Sequence, residues 1–329
     1  MKKTTVVIPN WNGMKFLKTC MDSLRNQDTG DFDILIVDNH SEDESVPFLR
    51  THYPEASLSV MEENLGFTGA VNYGITHAKT PYVLLLNNDV EAEPHFVRAL
   101  TDRIEQDTDI FSVSARMVNF RDRTLLDDCG DIYTVLGWQG QRGVGQKVTD
   151  KRYARSCRVF SSCGGAAIYR RAVFDEIGLF DPDHFAYLED IDVGYRAMIY
   201  GYRNVYEPDA VVYHVGSGAS GAVKYSDFKV RLSARNSVYL IEKNMPLLQK
   251  ALNALPILIG RKVKQRFFRK KGFEEAFLDG LREGRANRKK LKKVPVKFRN
   301  TGRYLVIEGM MIRYTFTYVF EKLRRSKKA

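Results

Sequence analysis

Short apolar runs alternate with segments of helical periodicity through the first 110 residues, and this pattern restricts the fold more than any other feature. "TTVVIP", "FDILIVD", "LSVM" and "YVLLLNND" are β-rich runs that end in polar residues. Between them, "MKFLKTCMDSLRNQ" places Met14, Leu17, Met21 and Leu24 at helical spacing, "VPFLRTHYP" reads as a short helix, and "ENLGFTGAVNYGITHAK" as a glycine-rich loop entering a helix. "PHFVRALTDRIEQ" follows the fourth run. Continuous apolar strands joined by helices predict a mostly parallel, Rossmann-like α/β sheet covered on both faces. Ligands of such sheets gather at the carboxyl ends of the strands, which puts Pro9, Asn10, Trp11, Asp38 and Asp89 on one rim.

The second part is less regular. "IFSVSARMVNF" predicts another strand, whereas residues 120–157 are polar and glycine-containing and carry no clear period. Asp190 or Ile191 begins a helical pattern with Val193, Ala197, Met198 and Tyr200, so Glu189, Asp190 and Asp192 of "LEDID" fall in or before its first turn. The free amides and dipole there favour negative charge. Further helices are expected from residue 225 onward.

Charge is unevenly distributed. Lys plus Arg exceed Asp plus Glu by 11, but residues 261–329 hold 23 basic and 6 acidic residues, a balance of +17, so the preceding chain sums to −6. A basic region of this kind suits an anionic membrane face or nucleic acid on electrostatic grounds. Two apolar tail segments, "LLQKALNALPILIG" and "YLVIEGMMIRYTFTYVF", run into "RKVKQRFFRKK" and "EKLRRSKK". They fit either a peripheral membrane contact or helices packed on the body with solvated basic faces. No run of 18 apolar residues occurs, which argues against a spanning helix, and the apolar run after "MKK" is too short for a signal peptide. Cys20, Cys129, Cys157 and Cys163 form neither a CxxC pair nor a dense framework, as expected of reduced thiols in a cytoplasmic enzyme.

No GxGxxG follows the first strand and no GxxxxGK is present, against a dinucleotide fold of the usual kind or a P-loop. Asp89 at a strand tip reads either as a turn cap or as an oxygen ligand for Mg²⁺ or Mn²⁺. Asp38 reads as a loop cap or as an acceptor for a base or ribose hydroxyl. Three carboxylates within four positions repel unless metal, arginine or chemistry uses them, and Arg196 stands four residues after Asp192. His214, after the apolar "AVVY", reads as a rim ligand or a satisfied buried histidine.

Together, "VVIPNWNG", "ILIVDNHSED", "ENLGFTGAVNYGI", "YVLLLNNDV", "CGGAAIYRRAVFDEIGLFDPDHFAYLEDIDVGYRA", "DAVVYHVGS" and "RLSARN" resemble, in order, the inverting nucleotide-sugar glycosyltransferases of family 2. The likeness is to the rhamnosyltransferase-like branch, with its GT-A fold, and covers roughly residues 4–240. It implies a GT-A domain over 1–240, with a nucleotide-binding half (1–110) and an acceptor and catalytic half (111–240). A helical basic region at 241–329 would meet a membrane surface or another copy of the chain.

By the same resemblance Pro9, Asn10, Trp11 and Asp38 line the nucleoside pocket, and the loop with Asn64, Gly66, Phe67 and Asn72 closes over base and diphosphate. Asn88 adjoins the phosphates, Asp89 is the last acid of the metal-binding DxD signature, and His214 is the second metal-facing position. Asn87 and Asn88 depart from that signature by replacing its first acid, leaving one carboxylate at the tip. Asp190 matches the catalytic base of the ED motif, with Glu189 beside it, and Arg231, Arg235 and Asn236 resemble residues that face the diphosphate.

The implied reaction moves a sugar, rhamnose from dTDP-rhamnose or a sugar from a UDP donor, to a glycan or lipid-linked hydroxyl in cell-envelope polysaccharide synthesis, with Mn²⁺ or Mg²⁺. The implied location is cytoplasmic or peripheral on the inner membrane face, with no nucleic acid as partner. Paired carboxylates also run glycosidases, but a glycosidase needs neither a nucleotide-type sheet nor a metal-like rim. A basic binding module centred on 261–329 is the non-enzymatic alternative. Acceptor choice is expected from residues 120–157 and the basic tail, and Tyr133 and Trp138 either stack on a sugar ring or close a small hydrophobic contact.

Overall fold

The computed structural model describes residues 2–216, 225–296 and 300–326. Ser217 of the "VYHVGS" stretch and the terminal Lys327 and Lys328 lie outside the described residues. The first part runs β1 (Thr4–Asn10), α1 (Met14–Arg25), β2 (Phe32–Asp38), α2 (Ser45–His52), β3 (Ser57–Val60), α3 (Gly66–His77) and β4 (Tyr82–Leu86). β1 pairs in parallel with β2 and β4, and β2 in parallel with β3. This is the predicted alternation, and it sets Asn10 opposite Asp38 at one end of the sheet.

Strand β5 (Val90–Ala92), helix α4 (Phe96–Glu105) and strand β6 (Ile110–Asn119) come next. The stretch without sequence period forms short pieces: β7 (Leu126–Asp128), a small separate hairpin of β8 (Asp131–Tyr133) and β9 (Gln139–Gln141), and β10 (Cys157–Val159). Strand β11 (Ala166–Arg170), α5 (Val173–Ile177), α6 (Glu189–Tyr200) and β12 (Arg203–His214) complete the body. Helices α7 (Asp227–Asn244), α8 (Leu247–Lys270), α9 (Glu274–Asn287) and α10 (Thr301–Ser326) follow.

The main sheet has the order β10-β12-β6-β11-β4-β1-β2-β3, with β5 on β12 and β7 on β6. β11 enters antiparallel between β4 and β6, while β6 and β12 are parallel. Strand alternation sends Val6, Ile8, Leu84 and Leu86 to one face, under Leu17 and Met21 of α1 and Phe96 and Leu100 of α4. Val7, Val83 and Leu85 go to the other, under Val71 and Ile75 of α3 and Val193 and Ala197 of α6. Each such side chain contributes about 1.5–3 kcal/mol on burial. Both faces are therefore dry, and the rim at the strand ends is left for chemistry.

A third cluster joins Ile132 and Tyr133 of the β8–β9 hairpin to Ile191 and Tyr195 of α6, Leu240 of α7, Ile257 of α8, and Ile307 and Met311 of α10. Tyr133 is fully buried there, and Trp138 donates its Nε1–H to the Gly260 carbonyl at 3.1 Å and meets Tyr318 edge-on. The hydrophobic-contact alternative holds for both rings, because α8 and α10 cover them.

Candidate active site

Two strand tips and one helix start converge on the carboxyl rim. Asp89, just beyond β4, is 4% exposed, and its Oδ1 lies 3.3 Å from Nε2 of His214 at the end of β12. The other ring nitrogen, Nδ1, lies 2.6 Å from Oδ2 of Asp127 on β7. Burial alone would lower the His214 pKa, but its hydrogen bonds to Asp127 and Asp89 overcome that and raise it to about 10. The three residues form a carboxylate–imidazole–carboxylate line. Nothing in the period of residues 120–157 marks Asp127, because its place depends on the β6–β7 pairing.

This arrangement fits a divalent ion. Oxygen and imidazole nitrogen 3.3 Å apart are spaced as neighbouring ligands of an octahedral ion with bonds of about 2.1 Å. A carboxylate on the far nitrogen is the usual support for a metal-binding histidine. A second acidic group lies deeper, where ligand atoms of Asp131, Cys163 and Asp190 fall within 4.8 Å of one another. Its thiol is raised well above the ordinary cysteine range, chiefly by burial and then by the nearby Asp128 and Asp190 carboxylates, so Cys163 stays protonated and is a poor ligand. We therefore favour Asp89 and His214 for an ion.

Helix α6 starts at Glu189, one residue earlier than the sequence pattern suggests. The chain reaches it through Phe185, Tyr187 and Leu188, all non-glycine residues at positive φ. Three carbonyls of this loop, of His184, Ala186 and Tyr187, lie 2.8–2.9 Å from Nδ2 of Asn236, which holds the unfavourable conformation. The loop aims Asp190 at the amide of Gly164, which donates to Oδ1 at 3.0 Å, while Oδ2 accepts no hydrogen bond from the described residues. Burial lifts the Asp190 carboxyl to about 7 despite that amide. Glu189 is raised well above its ordinary value by burial and then by Asp190, and its Oε2 has no partner among the described residues. A Cβ at Gly164 would stand 2.8 Å from Asp190 Oδ1 and 2.9 Å from Phe67 Cζ, which explains the glycine in "CGG".

The three acids of "LEDID" divide. Asp192 is fully buried and bonded to Arg196 at 2.9 Å, Lys243 at 2.9 Å and Asn244 at 2.7 Å. It serves the fold, as the helical pairing with Arg196 predicts. Sequence reasoning missed Asp128 and Asp131, which are buried, with Oδ2 of each unpartnered among the described residues. Burial first, and Asp190 among the neighbouring carboxylates, raise the Asp128 carboxyl to about 8 while His214 opposes this, so Asp128 lies between the metal-like end of the rim and the helix start.

On the other side of the rim, Asn10 donates to Asp38 at 2.7 Å and accepts from Asn88 at 2.7 Å. Asp38 also accepts from the Ser41 amide and hydroxyl, so its carboxylate organises the 38–41 loop. Asn88 thus braces β1. Pro9 lies within β1 opposite Val37, and Trp11 just past it is 40% exposed. Asn64 accepts from the Gly66 amide and from Asn39, and Gly66 at φ +71° packs against Phe185. Phe67 meets Phe180 edge-on.

Three of the expected site residues have partners within the fold. Asn72 bonds the Phe180 backbone through both amide atoms and so ties down the 178–180 turn. Arg231 is paired with Glu283 of α9 at 2.9 Å. Arg235 is paired with Glu283 at 3.2 Å and donates to the Asp183 carbonyl at 2.7 Å. With Asn236 it secures the loop before α6, and both guanidinium groups are occupied by partners within the fold.

The Glycosyl transferase family 2 model matches residues 5–178. The chain belongs to glycosyl transferase family 2. It is 28% identical over 189 residues to the uncharacterized glycosyltransferase YwdF of Bacillus subtilis, covering 55% of this chain and 63% of that protein. It is 27% identical over 215 residues to the N-acetylglucosaminyl-diphospho-decaprenol L-rhamnosyltransferase of Mycobacterium tuberculosis, covering 57% and 68%. The chain thus spans about two thirds of the length of these relatives. The O-antigen chain rhamnosyltransferase RfbN of Salmonella typhimurium is 24% identical over 230 residues, covering 64% of this chain and 66% of that protein. These relatives accord with the rhamnosyltransferase-like branch read from the motifs.

The family 2 chain shares the GT-A fold of solved glycosyltransferases. GalNAc-T7, solved with UDP, GalNAc and Mn²⁺, aligns over 74% of this chain and 48% of its own at 17% identity and a TM-score of 0.59. The mannosyltransferase PcManGT of Pyrobaculum calidifontis, solved with GDP-Man and Mn²⁺, aligns over 92% and 79% at 15% identity and a TM-score of 0.55.

Proposed function

We propose that this family 2 chain is an inverting, metal-dependent glycosyltransferase that moves a sugar from a nucleoside diphosphate to a hydroxyl of a glycan or lipid-linked acceptor. The rhamnosyltransferase names among its relatives favour rhamnose from dTDP-rhamnose and a role in cell-envelope polysaccharide synthesis. A UDP-sugar is the second reading, since a base differing by one methyl is weakly discriminated. A lipid-linked acceptor would place the enzyme at the inner face of the cell membrane.

The observation that carries the reading is Asp190. Its Oδ1 is held by the Gly164 amide while Oδ2 stays open, and its carboxyl titrates near neutral pH. That is the state of a general base able to take a proton from an acceptor hydroxyl at physiological pH. Inversion needs only this one base on the acceptor face, with no covalent sugar intermediate. Glu189, raised well above its ordinary value by burial and then by Asp190, orients the base or a sugar hydroxyl.

Asp89 and His214 would hold Mn²⁺ or Mg²⁺, with Asp127 fixing the imidazole. Such an ion, when bound, neutralises charge developing on the leaving diphosphate. Trp11, Val60 and Leu65, exposed apolar side chains at the ends of β1 and β3 and before α3, provide surface for the nucleoside base. Asn10 and Asp38 shape that side of the pocket, Pro9 sets the turn out of β1, and Gly66 and Phe67 close it.

Nucleoside diphosphate release tests the reading when nucleotide sugars are screened with and without acceptor and Mn²⁺. Release that depends on both supports transfer. Release indifferent to acceptor points to hydrolysis and would remove the proposal.

A further inference from the structure

Helices α8 and α10 leave an unusual surface uncovered. Of the twenty exposed large apolar side chains among the described residues, fourteen lie on these two helices. On α8 the inward positions are Gln249, Asn253, Ile257 and Gly260, while Leu248, Leu252, Leu255 and Ile259 repeat at helical spacing on the outside. On α10 Leu305, Ile312, Phe316 and Phe320 do the same. The helices meet along a polar seam, where Gln249 and Asn253 bond Glu308 at 2.8 and 3.0 Å. The two apolar faces therefore lie side by side.

Cations adjoin this surface. Residues 261–271 of "RKVKQRFFRKK" hold seven Lys or Arg and no acid. A groove of about 250 Å³ between α8 and α9 is lined by Leu258, Arg261, Lys262, Leu281, Arg282 and Arg285. The acids of α9 are already paired: Glu274 with Arg269, Glu283 with Arg231 and Arg235, and Asp279 and Glu275 with Arg282 at the groove itself. Arg261, Lys262 and Arg285 form no ion pair among the described residues. Burial and then the neighbouring Arg285 lower the Arg261 pKa, and Tyr133 and Glu242 offset this only in part.

We propose that α8 and α10 dock the protein on an anionic lipid bilayer, with the leucine and phenylalanine faces entering the headgroup boundary and lipid phosphates meeting Arg261, Lys262 and Arg285. The length fits: the 24 residues of α8 extend about 36 Å in the membrane plane. No described helix is long and apolar enough to cross a membrane, so the contact is interfacial. Charge complementarity selects lipid over a second copy of the chain, because self-association would bring like cations together. The inference does not rest on the transfer reaction, and its test uses no turnover, so either can fail alone.

The test is vesicle flotation of the full chain with phosphatidylcholine alone and with added phosphatidylglycerol. Binding to the anionic vesicles, weakened by salt and at least tenfold stronger than to phosphatidylcholine, is expected. Leu252→Glu with Leu255→Glu should abolish it, and Lys262→Glu with Arg285→Glu should reduce it at least tenfold, with circular dichroism unchanged. Because these positions are exposed, the variants should fold. No binding at low salt, or equal binding by the leucine variant, overturns the proposal. So does a stable dimer by light scattering that the leucine variant dissolves while wild type ignores vesicles.

Discussion

Nδ1 of His214 stands 2.6 Å from Oδ2 of Asp127, which leaves Nε2 turned to Asp89. Removing that support should loosen any ion held by the pair. Asp127→Ala is expected to weaken Mn²⁺ affinity about 10- to 100-fold, measured by calorimetric titration in the presence of nucleoside diphosphate. An unchanged affinity would show that Asp127 only neutralises the imidazolium.

Asp190→Asn should leave thermal stabilisation by the donor intact while cutting transfer by roughly 10²- to 10⁴-fold. In the unsubstituted protein, kcat/KM should rise with pH through about 7 as Asp190 loses its proton. The sign for stability is opposite. The folded pKa lies above the unfolded value, so ionising this carboxyl costs stability as pH climbs from about 4 to that value. A flat pH–rate profile between 5 and 8 would count against the base.

Asp192 behaves in the other direction. Despite burial, Arg196 and Lys243 hold its carboxyl far below the ordinary range, so its contribution is complete above about pH 4 and is lost as pH falls below. Asp192→Ala leaves buried Arg196 and Lys243 without their shared partner and should destabilise by about 3–5 kcal/mol. Chemical denaturation reads this directly, and a loss below about 1 kcal/mol would assign the cluster no more weight than a surface pair.

Gly164→Ala tests how closely the base is placed. Its methyl would meet Asp190 Oδ1 and Phe67 within 3 Å, forcing one of them to move. Transfer should fall about 100-fold with little change in the melting temperature. Activity near wild type would mean that the Asp190 position tolerates displacement.

Strands β1 to β4, helices α1 and α3, and the rim bearing Asn10, Asp38 and Asp89 were legible in the chain, as was the acidic start of α6. Their signals are local: an apolar run, a helical period and polar residues at a strand end specify each element without reference to a distant partner. Asp89, His214 and Asp190 were read from ordered motifs, and the fold brings them to one rim.

What only tertiary structure decided depended on contacts far apart in sequence. Asp127, Asp128 and Asp131 enter the site because short strands β7 and β8 are placed by β6 and by the Ser161 segment, not by any period of their own. Arg235 and Asn236 tether the loop before α6, since α7 packs against that loop. Trp138 is buried because α8 covers it. Sequence by itself determined which segments become strands and helices, through periodicity. Tertiary packing decided which polar groups remained without partners, because a hydrogen bond or ion pair depends on what lies within about 3 Å and not on what lies next in the chain.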